Sequence, residues 1–191
     1  DLRRIRQENM RLFEFAWIAG GAVRRAMLGT EDEARPGSDI DLFFSDPGGF
    51  DEWDRRCKAF TGMSAGKDKT HAREYTFKPL LFKRRAKLQA IRGRWFENST
   101  ALINDFDFTH CQFAIGGDWL TIGPTALNDA RRKRLVVANP RAPVAAVRRI
   151  VKYSAEGFKI TDTELKKLLR AVVAQPATID AELLDEYVME E

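Results

Sequence analysis

Two strand patterns lie near the start of the chain, and each contains residues that weaken a strand. The first, "FEFAWIAG" (residues 13–20), alternates aromatic with other positions and ends in Gly20 and Gly21. A basic segment, "AVRRAML", follows and predicts a helix that ends at Gly29. The second strand, "DIDLFF" (residues 39–44), carries two alternating aspartates. Because glycine loosens a strand and aspartate is a poor strand former, the two segments together indicate a functional site.

Helical and alternating patterns then follow one another up to Pro124. A turn and a helix are predicted by "SDPGGFDEWDRRCKAF", a loop by "TGMSAGKDKT", and paired strands by "AREYTFKP" and "AKLQAIRG". A capped helix is predicted by "FENSTALIND", a strand by "FDFTHCQFAIGG", and its hairpin partner by "DWLTIG". The mixture predicts an α+β fold in which helices flank a mixed sheet.

After Pro124 the pattern becomes helical. A basic helix is predicted by "TALNDARRKRLVV", and an amphipathic one by "VAAVRRIVKYSAEGF". Two more helices are predicted by "TDTELKKLLRAVV", which opens with an N-cap pattern, and by "TIDAELLDEYVMEE". A further helix is predicted at the start of the chain, from Leu2 to Leu12. We therefore expect a head over residues 1–124 and an all-helical, neck-like segment over residues 125–191.

The composition limits the class of protein. The 191 residues are 44% hydrophobic and 31% charged, as in a globular chain. No apolar run reaches the roughly 20 residues of a membrane helix, and the first residues lack the apolar core of a signal peptide, so no membrane partner is expected. Two cysteines and two histidines exclude a multi-histidine metal site and fit a reducing, cytoplasmic location. The lack of an initiator methionine is compatible with a fragment.

Positive charge is concentrated in two stretches. The net charge is only +4, but "KRRAKLQAIRGR" (residues 83–94) holds six basic residues and no acidic one. A second cluster contains Arg131, Arg132 and Arg134. Such clusters suit a polyanion, so these three arginines are candidates for binding RNA. The alternative is an ordinary solvated face.

The two aspartates predict a metal site. Residues i and i+2 of a strand face the same way, about 7 Å apart, so Asp39 and Asp41 present their carboxylates on one face. Neighbouring carboxylates repel each other, and a divalent cation removes that cost. Mg²⁺ prefers oxygen ligands and shares them with substrate phosphates. Two such ions, with Mn²⁺ as an alternative, stabilise the attacking and leaving oxygens of a phosphoryl displacement.

The two glycines complete the prediction. Gly20 and Gly21 allow backbone N–H groups to approach a phosphate, and the helix N-terminus that follows favours an anion. Arg24 and Arg25 lie within reach of further phosphate oxygens. A lone glycine pair or a lone DxD pattern occurs in many turns and edge strands. The order of strand, glycine pair, helix and DxD strand therefore carries the prediction of a nucleotide and metal site.

These segments resemble a known superfamily. "GGAVRR…GSDIDLFF" resembles the "GGxVRD…DxD" signature of DNA polymerase β-like nucleotidyltransferases, above all bacterial poly(A) polymerases and class II CCA-adding enzymes. "DFDFTHCQFAI" is similar to their "RRDFTxNAL" segment and puts Asp107 on the motif aspartate. "TALNDARRKRL…VRRIVKYSAEGFKI" is similar to their helical neck, in which "R-A-x-R-F-x-x-x-x-G-F" is typical. The resemblance implies a polymerase-β-type head followed by a neck.

The resemblance also implies an activity. The expected enzyme transfers a nucleoside monophosphate from an NTP, ATP or CTP, to a hydroxyl, with an RNA 3′ end as acceptor and pyrophosphate as product. Two Mg²⁺ ions are expected on the catalytic carboxylates Asp39, Asp41 and Asp107. Glu74 and Asp105 are the alternatives for the third carboxylate; the spacing at Glu74 predicts that it faces the other side of its strand. The expected NTP-binding residues are Gly20, Gly21, Arg24, Ser38, Arg149 and Lys152.

The sequence also departs from that superfamily. The aspartate of "VRD" is Arg25 here, and "RRD" reads Asp-Phe-Asp at residues 105–107. The neck motif "EDxxR", which reads the incoming base in CCA-adding enzymes, falls on "APVAA" at residues 142–146 and is absent. Two alternatives therefore stay open. The acceptor is a protein or a small molecule, or the head is inactive and serves as an RNA-binding or assembly module.

Overall fold

The computed structural model describes residues 15–30, 39–60, 62–77 and 86–174. The helices predicted at the two ends of the chain, the loop predicted before Asp39, and the candidate residue Ser38 lie outside the described residues. No helix within the described ranges is both long enough and apolar enough to cross a membrane.

A seven-stranded mixed sheet forms the centre of the molecule. Its strand order is β3-β4-β5-β2-β1-β6-β7. Only β2 and β5 pair in parallel; the other neighbours are antiparallel. The strands are β1 (Ala16–Ala19), β2 (Asp39–Phe44), β3 (Met63–Lys69), β4 (Ala72–Phe77), β5 (Ala86–Trp95), β6 (Phe113–Gly116) and β7 (Trp119–Ile122).

Helices flank this sheet and continue beyond it. They are α1 (Gly21–Leu28), α2 (Pro47–Ala59), α3 (Ser99–Asn104), α4 (Ala126–Arg131), α5 (Pro143–Ala155) and α6 (Asp162–Ala174), with a 3₁₀ turn at Thr109–Cys111. A short parallel pair, β8 (Arg134–Leu135) and β9 (Lys159–Ile160), accompanies the last helices. The predicted α+β architecture, a mixed sheet flanked by helices, is confirmed.

Strand β2 separates two cores because its side chains alternate between the faces of the sheet. Leu42 and Phe44 are fully buried in the larger core, where Phe50 and Trp53 of α2 pack against the sheet. Phe43 lies on the other face, in a smaller core that includes residues of α3. Asp39 and Asp41 share the face of Phe43 by the same alternation. The two carboxylates therefore lie opposite α2.

A third core joins the head to the later helices. Phe108, Leu135 and Val137 are buried together with Ala146 of α5, Phe158 and Leu168 of α6. The isolated bridge between Phe108 and Val137 fixes this junction. Helix α4 contributes Ala126 and Ala130 to the core beneath the sheet. The division of the chain at residues 124 and 125 stays a prediction.

Three local predictions are wrong. Residues 63–69 form β3, which was predicted as a loop because this exposed edge strand lacks apolar alternation. Residues 106–112 form bends and a 3₁₀ turn where a strand was predicted, and only Phe113–Gly116 pairs in the sheet. The aromatic alternation there arises because Phe106 and Phe108 pack into different cores. The basic helix ends early, at Arg131.

Candidate functional site

The glycine turn and the two aspartates are adjacent in space. Strand β1 pairs with β2 so that Ala19 is the direct partner of Asp41. Gly20 follows immediately and turns the chain into α1, with φ at +79°, a region that only glycine enters without strain. Its N–H donates to the carbonyl of Phe113 at 2.9 Å. The first turn of α1 therefore begins beside Asp41.

Asp41 lies in an environment that opposes its negative charge. Burial, followed by the neighbouring charge of Asp39, raises the pKa of Asp41 to about 6. The positive charges of Lys152, Arg149 and Arg25 act in the opposite direction on that pKa. Two carboxylates thus share one face of β2, and the charges of three cations act on Asp41.

The three cations come from two separate parts of the chain. Arg149 and Lys152 lie on α5, so the neck-like segment brings two of the predicted NTP-binding residues to the head. Arg25 lies on α1, and its Nη1 is 3.2 Å from the point where a Cβ on Gly21 would stand. Burial, followed by Arg24, lowers the pKa of Arg25. The Arg25 guanidinium therefore lies against the glycine turn, and Glu156 and then Asp41 act to raise its pKa.

Arg24, the other arginine of this helix, takes a different place. It is 3% exposed and forms an ion pair of 2.6 Å with Glu156, at the end of α5. Its guanidinium carbon lies 4.9 Å from the ring centre of Phe158 and 5.7 Å from that of Tyr153. Arg24 joins the head to the later helices. That Arg24 binds the NTP stays a prediction.

Asp107 and Asp105 are held by arginines. Asp107 is 8% exposed and pairs with Arg149, just before the 3₁₀ turn and outside any strand. Burial raises the pKa of Asp107, and Arg149 acts against this rise. Asp105 ends α3 and pairs with Arg94 and, at 2.8 Å, with Arg141. Neither is aligned with the two aspartates of β2 in the sheet.

Glu74 faces the same side of the sheet as Asp39 and Asp41. In the paired strands, Glu74 of β4 is aligned with Gln89 of β5, and Gln89 is aligned with Asp41. Aligned residues of neighbouring strands point to the same face. The prediction that Glu74 faces the other side is therefore wrong, because the pairing with β5 sets its orientation. Glu74 is 5% exposed.

The pair of aspartates fits a magnesium ion on chemical grounds. Two neighbouring carboxylates, with the pKa of Asp41 raised by burial and then by the charge of Asp39, form a donor set that a cation stabilises. Mg²⁺ in proteins is often bound by one or two carboxylates and completes its shell with water and phosphate oxygens. Among the described residues, no three His, Cys, Asp or Glu side chains come together as a metal site. A third carboxylate ligand and a second ion stay predictions.

The three arginines of the basic cluster, Arg131, Arg132 and Arg134, have different surroundings. Arg131 and Arg132 are exposed at the end of the helix. Arg134 donates to Asp129 at 2.6 Å, and Asp129 is 1% exposed and also accepts from the Thr109 hydroxyl. Arg134 therefore stabilises a buried carboxylate, whereas the other two arginines face the solvent.

The single buried histidine has a structural role. His110 is fully buried between the rings of Tyr153 and Phe158, each with its ring centre 4.4 Å away. Cys111 is buried beside it, 3.1 Å from the Tyr153 hydroxyl. Burial lowers the pKa of His110 well below 6.5 and raises that of Cys111. Both residues are packed in the junction with α5.

A cavity of about 330 Å³ lies on the opposite face of the sheet from Asp41. Phe50 and Trp95 line it, together with acidic and basic side chains that pair with one another, such as Arg92 and Asp68 at 2.9 Å. The two faces are separated by the strands themselves. The cavity is therefore not part of the aspartate site.

Three solved enzyme structures share this fold. A CCA-adding enzyme with ATP matches 89% of this chain with 18% identity and a TM-score of 0.62, over 43% of its own length. A tRNA nucleotidyltransferase complexed with a primer tRNA and an incoming ATP analog matches 87% with 21% identity and a TM-score of 0.55, over 49% of its length. A tRNA-processing enzyme with CTP matches 87% with 22% identity and a TM-score of 0.55, over 45% of its length. The chain thus has a nucleotidyltransferase fold.

The comparison of sequences identifies a more specific family than the comparison of structures does. A family model described as "Gabija anti-defense 2 family protein" matches residues 2–133, and the chain belongs to this family. "Gabija anti-defense 2" of Bacillus phage SPbetaL7 is 26% identical over 160 residues, which are 81% of this chain and 36% of the phage protein. The chain therefore spans about a third of the length of this curated relative.

Proposed function

We propose that the protein is a metal-dependent nucleotidyltransferase. A single observation carries this proposal: Asp39 and Asp41 share one face of β2, and the glycine turn of α1 begins beside them. Three cations, Arg25, Arg149 and Lys152, surround the more buried carboxylate. A carboxylate pair next to a helix N-terminus and a group of cations suits a metal-bound triphosphate.

In the proposed reaction an acceptor hydroxyl oxygen bonds to the α-phosphorus of the NTP. The bond from that phosphorus to the oxygen bridging to the β-phosphate breaks, pyrophosphate leaves, and the hydroxyl proton passes to solvent. Asp39 and Asp41 are the residues that hold Mg²⁺, or Mn²⁺ in its place. The bound ion supplies charge neutralisation on the phosphate oxygens.

The chain's own residues bind and orient the nucleotide. The first N–H groups of a helix have no partner within it, so the N–H groups of α1 from Gly21 onward receive the phosphates. Gly20, whose own N–H donates to Phe113, supplies the turn that brings them there. Arg25 lies over that turn and takes the phosphate contact expected of Arg24. Arg149 and Lys152 approach from α5 and close the site on the neck side. The side chain of Asp107 keeps Arg149 in place through their ion pair.

An RNA 3′ end is the proposed acceptor, with ATP or CTP as donor. The exposed Arg131 and Arg132 support this choice because they offer charge to a phosphate backbone. The family name adds a biological setting: the transfer counters the Gabija defence system. Incubation with each α-³²P-labelled NTP, Mg²⁺ and total RNA or total protein tests the proposal. Label in RNA, lost in Asp41→Asn, is expected; label in protein identifies a protein acceptor.

An inactive head that binds RNA or assembles with a partner is the second candidate. It is favoured by Lys87, whose Nζ lies 3.3 Å from Asp39 Oδ1 and already neutralises one of the two carboxylates. A thermal-shift titration separates the two candidates. An NTP that stabilises the wild type only with Mg²⁺, and not the Asp41→Asn variant, supports the enzyme. Stabilisation by RNA alone, with no transfer in the labelling assay, supports the inactive head.

A further inference from the structure

A chain of alternating charges crosses the sheet and ends at Asp39. Lys69 of β3 lies 3.0 Å from Glu74 Oε1, and Lys87 of β5 lies 3.2 Å from the same oxygen. The Lys87 ammonium also lies 3.3 Å from Asp39 Oδ1. Lys87 therefore links the nearly buried Glu74 to one of the two proposed metal ligands.

The strand register explains why these groups meet. Asp39 of β2 is aligned with Lys87 of β5, so their side chains stand next to each other on one face. Glu74 is one row further along the same face, aligned with Gln89. The sheet thus fixes the position of Lys87. The positive charge of Lys87 thus stands between two carboxylates, those of Asp39 and Glu74.

That charge affects the affinity of Asp39 for a metal ion. A divalent cation on Asp39 stands within a few ångströms of the Lys87 ammonium, and two like charges at such a distance repel strongly in a partly buried site. A triphosphate brings several negative charges to the same place and offsets both cations. Glu74 offers Lys87 a second partner when a metal takes Asp39.

We propose, building on the nucleotidyltransferase function proposed above, that Lys87 gates the metal site. In the nucleotide-free protein Lys87 acts as the counter-ion of Asp39 and keeps the affinity for free divalent cations low. Metal binding then depends on the triphosphate, so that metal and nucleotide bind with positive coupling. Lys87 is a positioning residue in this scheme, acting through Asp39 and Glu74.

Titration with Mn²⁺ tests the gate without measuring turnover. Free Mn²⁺ is followed by its EPR signal, with and without α,β-methylene-ATP, a substrate analogue that cannot transfer its nucleotide. The wild type is expected to bind Mn²⁺ weakly alone and at least about tenfold more tightly with the analogue. In Lys87→Met the affinity for Mn²⁺ alone rises about tenfold, and the gain from the analogue shrinks by the same factor.

Matched variants locate the effect. Lys69→Met removes a cation from the same Glu74 oxygen, but Lys69 lies on β3, three strands from Asp39. The Mn²⁺ affinity of the Lys69→Met variant is therefore expected to match that of the wild type. Lys87→Arg keeps the charge and also matches the wild type. Lys87→Gln is a second neutral variant if Lys87→Met does not fold, and it is expected to bind as Lys87→Met does. Asp41→Asn in the Lys87→Met background is expected to abolish the gain.

These Mn²⁺ titrations distinguish a failure of the Lys87 gate from a failure of the proposed nucleotidyltransferase function. Equal Mn²⁺ affinity in wild type and in both neutral variants overturns the gate and leaves the proposed function standing. A rise in Lys69→Met as large as in Lys87→Met also overturns it, because the effect is then one of total charge. If no variant binds Mn²⁺, with or without the analogue, the proposed function fails and the gate with it.

Discussion

Arg24 of α1 and Glu156, at the end of α5, are joined by an ion pair of 2.6 Å that ties the head to the later helices. Its neighbour Arg25 lies against the glycine turn, with Nη1 3.2 Å from the point where a Cβ on Gly21 would stand. We therefore propose that these two consecutive arginines have separate roles, Arg24 in stability and Arg25 in binding the NTP. The sequence motif, which in the related enzymes ends in aspartate, does not distinguish them.

Replacing these arginines one at a time separates their roles. Arg24→Met is expected to lower the free energy of unfolding by about 3 kcal/mol, because it leaves the largely buried Glu156 carboxylate without its partner. Arg25→Met is expected to change stability little and to weaken NTP binding at least about tenfold. Urea denaturation and NTP titration measure the two effects. Equal loss of NTP affinity in both variants would show that Arg24 also contacts the nucleotide.

The aspartate pair has opposite effects on stability and on transfer. Asp41→Asn is expected to abolish nucleotide transfer and to stabilise the metal-free protein at pH 7. The pKa of Asp41 in the folded protein, about 6, lies above the 3.8 of a free aspartate, so ionising Asp41 opposes folding. The wild type therefore has its full stability below pH 4, where Asp41 is protonated in both states, and it loses stability as the pH rises through 6. The gain in unfolding free energy in Asp41→Asn is therefore about 3 kcal/mol at pH 7 and vanishes near pH 4.

Chemical denaturation at pH 4, 6 and 8 without divalent ions measures this difference. Ser45→Ala, on the exposed turn after β2, is a control that leaves the carboxylate pair intact. A variant that is less stable than the wild type at every pH contradicts the charge argument. Undiminished transfer by purified Asp41→Asn contradicts the metal site.

The burial of His110 affects how the free energy of unfolding depends on pH. Burial, followed by the charges of Arg24 and Lys133, lowers the pKa of His110 well below 6.5. Because the folded state keeps His110 neutral, the protein is most stable above pH 6.5. It loses stability as the pH falls, since the unfolded state gains a proton on this histidine. His110→Phe, which keeps a ring between Tyr153 and Phe158, is expected to reduce the loss of unfolding free energy between pH 7 and pH 5. An unchanged slope would place the acid-sensitive group elsewhere.

The site could be predicted from the sequence where it depends on local spacing. The alternation of Asp39 and Asp41, and the glycines that end β1, are properties of consecutive residues. The side on which Glu74 lies depends on pairing across three strands, and spacing along the chain gave the wrong side. Lys87 was missed for the same reason: within a basic stretch, only its alignment with Asp39 distinguishes it.

Two other failures have physical causes in the packing. Strand β3 is an exposed edge strand, so "MSAGKDK" carries no apolar alternation and reads as a loop. The segment around Asp107 alternates aromatic residues because it passes between two cores, and it reads as a strand. The mixed sheet itself was predicted correctly, since β2, β4 and β5 each have a buried alternate face.

The basic cluster at the end of α4 is expected to bind RNA through two of its three arginines. Arg131→Gln with Arg132→Gln should weaken RNA binding and lower the slope of log affinity against log salt by about 1.5, because two phosphate contacts are lost. NTP affinity should not change. Arg134→Gln is the contrast: it should lower stability by roughly 1 kcal/mol, since Asp129 loses a charged donor. An unaltered salt slope in the double variant would exclude this surface.

The choice of base depends on the first turns of α5. That helix begins at Pro143 after Ala142, and residues 142–146 offer no side-chain donor or acceptor. Rejecting a wrong base requires a group that the wrong base leaves unpaired, and apolar walls discriminate weakly. Arg149 and Lys152, one to two turns further on, supply donors only. A set of donors does not reproduce the mixed pattern that selects both cytosine and adenine.

We therefore expect no ordered addition of C, C and A to a tRNA that lacks its 3′ end. The expected result is relaxed use of NTPs, or one preferred nucleotide whose selection is lost in Arg149→Met or Lys152→Met. Extension with ATP and CTP together, and with each alone, measures this on a sequencing gel, with Lys166→Met on α6 as a control of equal charge change. Clean addition of C, C and A that then stops would show that base selection resides outside α5, in backbone groups or in the RNA itself.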